Sequence, residues 1–177
     1  MKVKPLETTS PQVYLIEPAI ERDALLGVRW LEGEAGHDTL RLMGVPEKDS
    51  KPTTLEDEGK RVEDFITNED HLNWMIQYEG RVVGAIWVDL VPNEHMLAPS
   101  IHLMIGDPAV RGKGVGSASA QAVIEYLQAG GSTKIYSRHL IDNVAVARLQ
   151  EKLGFKKDGE SYSDKDGLTW QNVTFDG

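Results

Sequence analysis

Cysteine is absent from this sequence altogether. Its absence excludes disulfides, thiolate metal sites and any covalent mechanism through a protein thiol. Long apolar runs are also missing. No stretch approaches the roughly 20 residues of a membrane span, and Met1 to Ser10 lack the apolar centre of a secretion signal. The expectation is a protein of the cytoplasm with no membrane partner. Positive charge is scarce, with 19 Lys plus Arg against 28 Asp plus Glu and a net charge of −9. That field repels nucleic acid and favours cationic ligands such as amines, although acidity also serves solubility alone. What is present is 177 residues, 40% of them hydrophobic, enough for one sizeable core and a single domain spanning 1–177.

Val13 to Ile20 alternates as a first strand, and from Glu21 helical spacing runs through Leu25, Leu26, Val28, Trp30 and Leu31. Gly33, Gly36, Gly44 and Pro46 break the next region into pieces, and Glu47 to Lys51 with Pro52 reads as an exposed, mobile loop. Thr53 or Thr54 caps a helix through Leu55, Val62, Phe65 and Ile66. Leu72 to Tyr78 and Arg81 to Leu90 form a hairpin around Glu79-Gly80. Beyond irregular residues 91–99 come a strand at Ile101 to Ile105, a glycine-rich turn and a helix at Ser117 to Gln128. Lys134 to Leu140 is a further strand. Asn143 opens a helix closed by Gly154, and Lys156 to Phe175 is a hairpin turning at Asp164 to Gly167. The order is strand, two helices, three strands, helix, strand, helix, two strands. It implies an α+β or mixed α/β fold with antiparallel meanders around one parallel strand pair, and a ligand crevice where that pair splays.

The turn Arg111-Gly112-Lys113-Gly114-Val115-Gly116, followed by Ser117, lies between strand and helix, so free amides at the helix start converge on an anion. Arg111 and Lys113 add positive charge that suits phosphate. A dinucleotide fingerprint fails here because Ser117 stands where its third glycine belongs. A Walker A loop fails because Gly106 lies one position too far from Gly112 and Gly114 replaces the magnesium-binding hydroxyl.

The spacing of Arg111, Gly114 and Gly116 satisfies [Arg/Gln]-x-x-Gly-x-Gly/Ala, and Asn143 through Gly154-Phe155 is similar to a later helix of the same family. On these two ordered motifs the chain resembles the GNAT N-acetyltransferases. Within that family it is similar to aminoglycoside 6′-N-acetyltransferases over Ile101 to Pro108, and to ribosomal-protein N-terminal acetyltransferases in its final helix. The resemblance implies acetyl-CoA as cosubstrate and no metal. It implies that the backbone of Met104, Ile105 and Gly106 pairs with pantetheine, that the amides from Arg111 to Ser117 hold the pyrophosphate, and that Asn143 reaches the pantetheine arm.

Acetyl transfer to an amine needs a neutral nucleophile, whereas an aliphatic amine with a pKa near about 10 is mostly protonated. His102, on the strand entering the splay, is the candidate general base, directly or through one water, with structural packing as the alternative. The related aminoglycoside enzymes carry an acid at that position. Asp89 and Glu94 are candidate contacts for a cationic acceptor, or simply solvated residues. A backbone N–H of Leu103 or Met104 can stabilise the developing oxyanion. Where many family members have a tyrosine acid the chain has Gln150, and Tyr136 could substitute or merely pack. The expected acceptor is a small cationic amine of aminoglycoside or polyamine type, or a protein N-terminus, attacking directly in a ternary complex. The other class is an acyl-CoA-binding module without catalysis. The sequence leaves open whether the chain pairs as a homodimer.

Overall fold

The computed structural model describes residues 3–177. Its strands are β1 (Leu6–Glu7), β2 (Val13–Ile16), β3 (His71–Tyr78), β4 (Arg81–Asp89), β5 (Ser100–Ile105), β6 (Lys134–Leu140), β7 (Lys156–Lys157), β8 (Tyr162–Ser163) and β9 (Thr169–Asp176). The helices are α1 (Ile20–Leu31), α2 (Gly33–Leu42), α3 (Leu55–Thr67), α4 (Val115–Ala129) and α5 (Val144–Lys152). The strands form one nine-stranded sheet in the order β1-β2-β3-β4-β5-β6-β9-β7, with β8 on β9. Neighbours run antiparallel except β5 and β6, which are parallel and meet in register only at Ser100 and Tyr136. The mixed fold and its lone parallel pair match the expectation from the sequence.

Local chemistry explains most boundaries. Glu79 and Gly80 both hold positive φ (48° and 79°), the two-residue turn whose twist suits a tight hairpin, and Tyr78 pairs with Arg81 across it. Thr54 accepts from the Asp57 amide while the Asp57 side chain returns a bond to the Thr54 amide, a capping box that starts α3. The core lies between the sheet and α4, where Val115, Val123, Ile124 and Leu127 pack with Leu15, Trp74, Ile76 and Ile86. Trp74 is fully buried and donates Nε1–H to the Lys4 carbonyl.

The region broken by glycines in the sequence is a helix. Gly36 sits within α2 because a Cβ there would lie 2.1 Å from the Leu31 carbonyl carbon, so this glycine serves close approach to the end of α1. Gly33, at φ 64°, supplies the bend between the two helices. The chain therefore has three helices between its opening strands and β3, and the two-residue edge strand β1 adds to the expected order. The Glu47 to Lys51 loop contains a short 3-10 turn, and Lys48 pairs with Asp166 at 2.6 Å, tying it to the β8–β9 turn. The α4 helix begins at Val115, two residues before the expected start.

Candidate active site

Below their single register contact, β5 and β6 diverge, and the gap opens into a cleft of about 650 Å3. Ile101 would be the next carbonyl to meet β6, and the Ser137 hydroxyl donates to it at 2.8 Å in place of a backbone amide. Backbone groups of alternate residues point to alternate sides of a strand. The Ile105 carbonyl, on the gap side, accepts twice from the Arg111 guanidinium, whereas the Met104 carbonyl turns toward Gly84 of β4. Leu103 thus keeps both its backbone groups aimed into the gap. Of the two residues expected to offer an oxyanion-binding N–H, Leu103 is the one so placed, and Met104 spends its groups on β4.

At the floor of the cleft the glycine-rich turn delivers α4. Gly112 and Gly114 adopt φ of 77° and 82°, and a Cβ on either would meet nothing within 4 Å, so the backbone is bare toward the open side. Gly114 is the N-cap and carries no side chain to satisfy the first-turn amides of Val115, Gly116 and Ser117. These amides, with the positive end of the helix dipole, fit a pyrophosphate. Gly116 is needed for a different reason, since a Cβ there would stand 3.0 Å from Leu103 Cδ2. The Arg111 side chain is committed to the Ile105 carbonyl and to Thr39 Oγ1 (2.9 Å), which fastens the turn to β5 and α2. Asn143 caps α5 by accepting from the Val146 amide at 3.3 Å and lines the cleft. Gly106 and Lys113 do not line it. Gly106 leaves room for Trp30, whose ring a Cβ would strike, and Lys113 is exposed.

His102 stands on the cleft wall, stacked on Trp87 of the neighbouring strand at 5.3 Å and 12°. Trp87 is its register partner and Asp89 lies two residues further along the same face. His102 Nε2 lies 3.0 Å from Asp89 Oδ2. An ionised carboxylate only accepts, so Nε2 carries the proton and Nδ1 keeps the lone pair. Burial acts to raise the Asp89 pKa, but the hydrogen bond from His102 and the nearby charges of His102, His71 and Arg138 hold it below the ordinary carboxylate value. Asp89 is therefore a partner for His102, and it is not among the residues that line the cleft.

Other expected residues go elsewhere. Glu94 is exposed, pairs with His95 Nε2 at 3.1 Å and lines a separate cavity of about 240 Å3. Tyr136 lines that second cavity too, away from the cleft. The structure adds Arg138 and His139, which sequence spacing did not single out, and gives Gln150, noted in the sequence only for replacing a tyrosine, a place on the cleft wall. Arg138 lies over the Trp170 ring at 4.0 Å and donates to the Tyr162 hydroxyl, and His139 and Gln150 face the cleft from β6 and α5. Alternation along β6 from Ser137 would have placed His139 on that wall; the Arg138–Trp170 stack has no local signal. Although the chain is acidic, the described residues lining the cleft include Arg111, Arg138, Arg148 and Lys152 and no carboxylate. No group of acidic, histidine or cysteine side chains suited to a metal occurs among the described residues. Nor is any described helix long and apolar enough to cross a membrane.

Residues 16–156 match the acetyltransferase (GNAT) domain family. An uncharacterized protein of Methanocaldococcus jannaschii is 30% identical over 103 residues, which cover 50% of this chain but only 21% of that protein. The ribosomal L7/L12 alpha-N-protein acetyltransferase RimL, solved in complex with coenzyme A, superposes with a TM-score of 0.72 at 14% identity, covering 96% of this chain and 98% of that one. The aminoglycoside acetyltransferase AAC(6')-Ib, also in complex with coenzyme A, gives 0.68 at 19% identity, covering 93% and 94%. At such identities the likeness is one of fold.

Proposed function

The chain belongs to the acetyltransferase (GNAT) domain family, and from that premise we propose that it is an N-acetyltransferase that uses acetyl-CoA as cosubstrate and takes the α-amino group of a peptide or protein as acceptor. The cleft lining carries this reading. A polyamine or aminoglycoside presents several ammonium groups, which carboxylates favour, and the described lining offers none while carrying four cationic side chains. It offers Trp87, Leu42 and Met43 for an apolar side chain, and Arg138 to donate hydrogen bonds to peptide carbonyls.

In this reading the amides of Val115 to Ser117 hold the pyrophosphate, and the Leu103 backbone aligns the thioester in the gap. His102 Nδ1 removes the proton from the incoming amine, while Asp89 stabilises the imidazolium that results. The Leu103 N–H faces the carbonyl oxygen as its negative charge develops. No cysteine is available for a thiol acyl-enzyme, and direct attack requires both substrates to be bound together, so the kinetics are sequential.

The test follows release of the CoA thiol with a thiol-reactive dye, which has no protein background because the chain lacks cysteine. Short peptides with free N-termini should be turned over, and the same peptides with blocked N-termini should not. Turnover confined to spermidine or kanamycin would overturn the choice of acceptor.

A further inference from the structure

The cleft holds a second histidine whose proton arrangement is fixed by a chain of hydrogen bonds across the splay. The Ile101 carbonyl can only accept, so the Ser137 hydroxyl must donate to it (2.8 Å). The Ser137 oxygen then accepts from Gln150 Nε2 at 3.0 Å, which turns the amide oxygen of Gln150 toward β6. That oxygen lies 2.5 Å from His139 Nδ1. Because Gln150 Oε1 carries no proton, His139 Nδ1 must, and Nε2 is the nitrogen left to exchange a proton in the cleft.

Its placement is set by register. Ser100 pairs with Tyr136, so in step along the parallel strands His102 corresponds to Arg138, and Leu103 to His139. His102 therefore lies on one face of the sheet, and His139 on the other, with Leu103, Gly116 and Leu149. Both line the same cleft. The two imidazoles flank the gap from opposite faces.

Resting on the acetyl-transfer reading above, we infer that His139 is the general acid of the reaction and that Gln150 is its positioning residue. The amine nitrogen forms its bond to the acetyl carbon and loses a proton to His102 Nδ1. The carbon–sulfur bond breaks, its electron pair stays on sulfur, and His139 Nε2–H supplies the proton that makes the free thiol. The proton gained by one histidine and lost by the other are restored through solvent. Gln150 holds Nδ1–H throughout, a task a neutral amide oxygen performs without taking the proton itself.

The test needs no acceptor. Bound CoA is titrated by the ultraviolet absorbance of its thiolate, with the acetyl-CoA complex as blank, and the absence of cysteine makes CoA the only thiol observed. The charged groups nearby are Arg148 and Lys152 on the α5 wall and His102 and Arg138 on the opposite face, with Gln171 opposite His139 on β9. These are unchanged in the variants, so a difference reports His139. In His139→Gln the bound thiol should ionise about one to three pH units higher than in the wild type. Gln150→Glu, which keeps the imidazole and gives Nδ1–H a charged acceptor, should move it lower. CoA affinity from the same titration verifies that each variant is folded, and if His139→Gln does not bind, Gln150→Glu decides. Identical titrations in bound wild type and variants would overturn the inference. Failure of the wild type to bind CoA would instead overturn the placement of the cofactor.

Discussion

Replacing Asp89 with Asn tests whether His102 is a base or a packing residue. The change keeps the shape of the side chain and removes the charge facing Nε2 at 3.0 Å. Only 23% and 19% of the two side chains are exposed, so water screens this pair less than a surface pair. A hydrogen bond to a charged group contributes about 1.5–3 kcal/mol, which at about 1.36 kcal/mol per tenfold corresponds to a loss of about 10- to 150-fold in kcat/KM. The assay is CoA release against pH with saturating acetyl-CoA and a free N-terminal peptide. The plateau should fall, because the imidazolium formed as His102 takes the amine proton no longer faces a carboxylate. Acetyl-CoA affinity by calorimetry should be unchanged. A pH profile superimposable on that of the wild type would refute the assignment of His102 as base and leave it a residue that packs on Trp87.

Asp89 also links stability to pH. Its pKa is lower in the folded chain, so its contribution is complete above the unfolded value of about 4 and disappears as pH falls through the folded value. The melting temperatures of wild type and Asp89→Asn should therefore converge below about pH 4, a comparison scanning calorimetry reads directly. Gly114→Val forces a branched residue to φ 82°, which should cost about 1–2 kcal/mol of stability, and its side chain fills the bare side of the turn, so isothermal calorimetry should show acetyl-CoA binding weakened by about tenfold or more. Trp74→Ala empties a fully buried site and should cost about 3–5 kcal/mol in urea unfolding without touching the cleft. Ser137→Ala leaves the Ile101 carbonyl without its donor and should cost about 1–3 kcal/mol by the same measurement.

The features legible in the sequence were those with a local cause. The Glu79-Gly80 hairpin, the capped start of α3 and the glycine-rich turn that leads into α4 each follow from the residue types and their spacing. The features that escaped are tertiary. Gly36 reads as a breaker until the end of α1 is seen packed against it. Glu94 is close to His102 in sequence, but its loop carries it to another cavity. Gln150 stands out in the sequence only as the lack of a tyrosine, because its bonds to Ser137 and His139 join residues 11 to 13 positions apart. That no described residue lining the cleft is acidic could not be read from net charge, which says nothing of where each carboxylate points.

The single rung between β5 and β6 makes the sheet two plates joined at one edge. A molecule seated in the opening acts as a splint between them, so the cohesion of the protein depends on how much of that molecule the surroundings supply. At a hundredfold excess over its dissociation constant such a ligand adds about 2.7 kcal/mol, a large fraction of what holds an ordinary domain together. With the cosubstrate bound in that seam as proposed, the stability of the folded chain rises with the abundance of the cosubstrate.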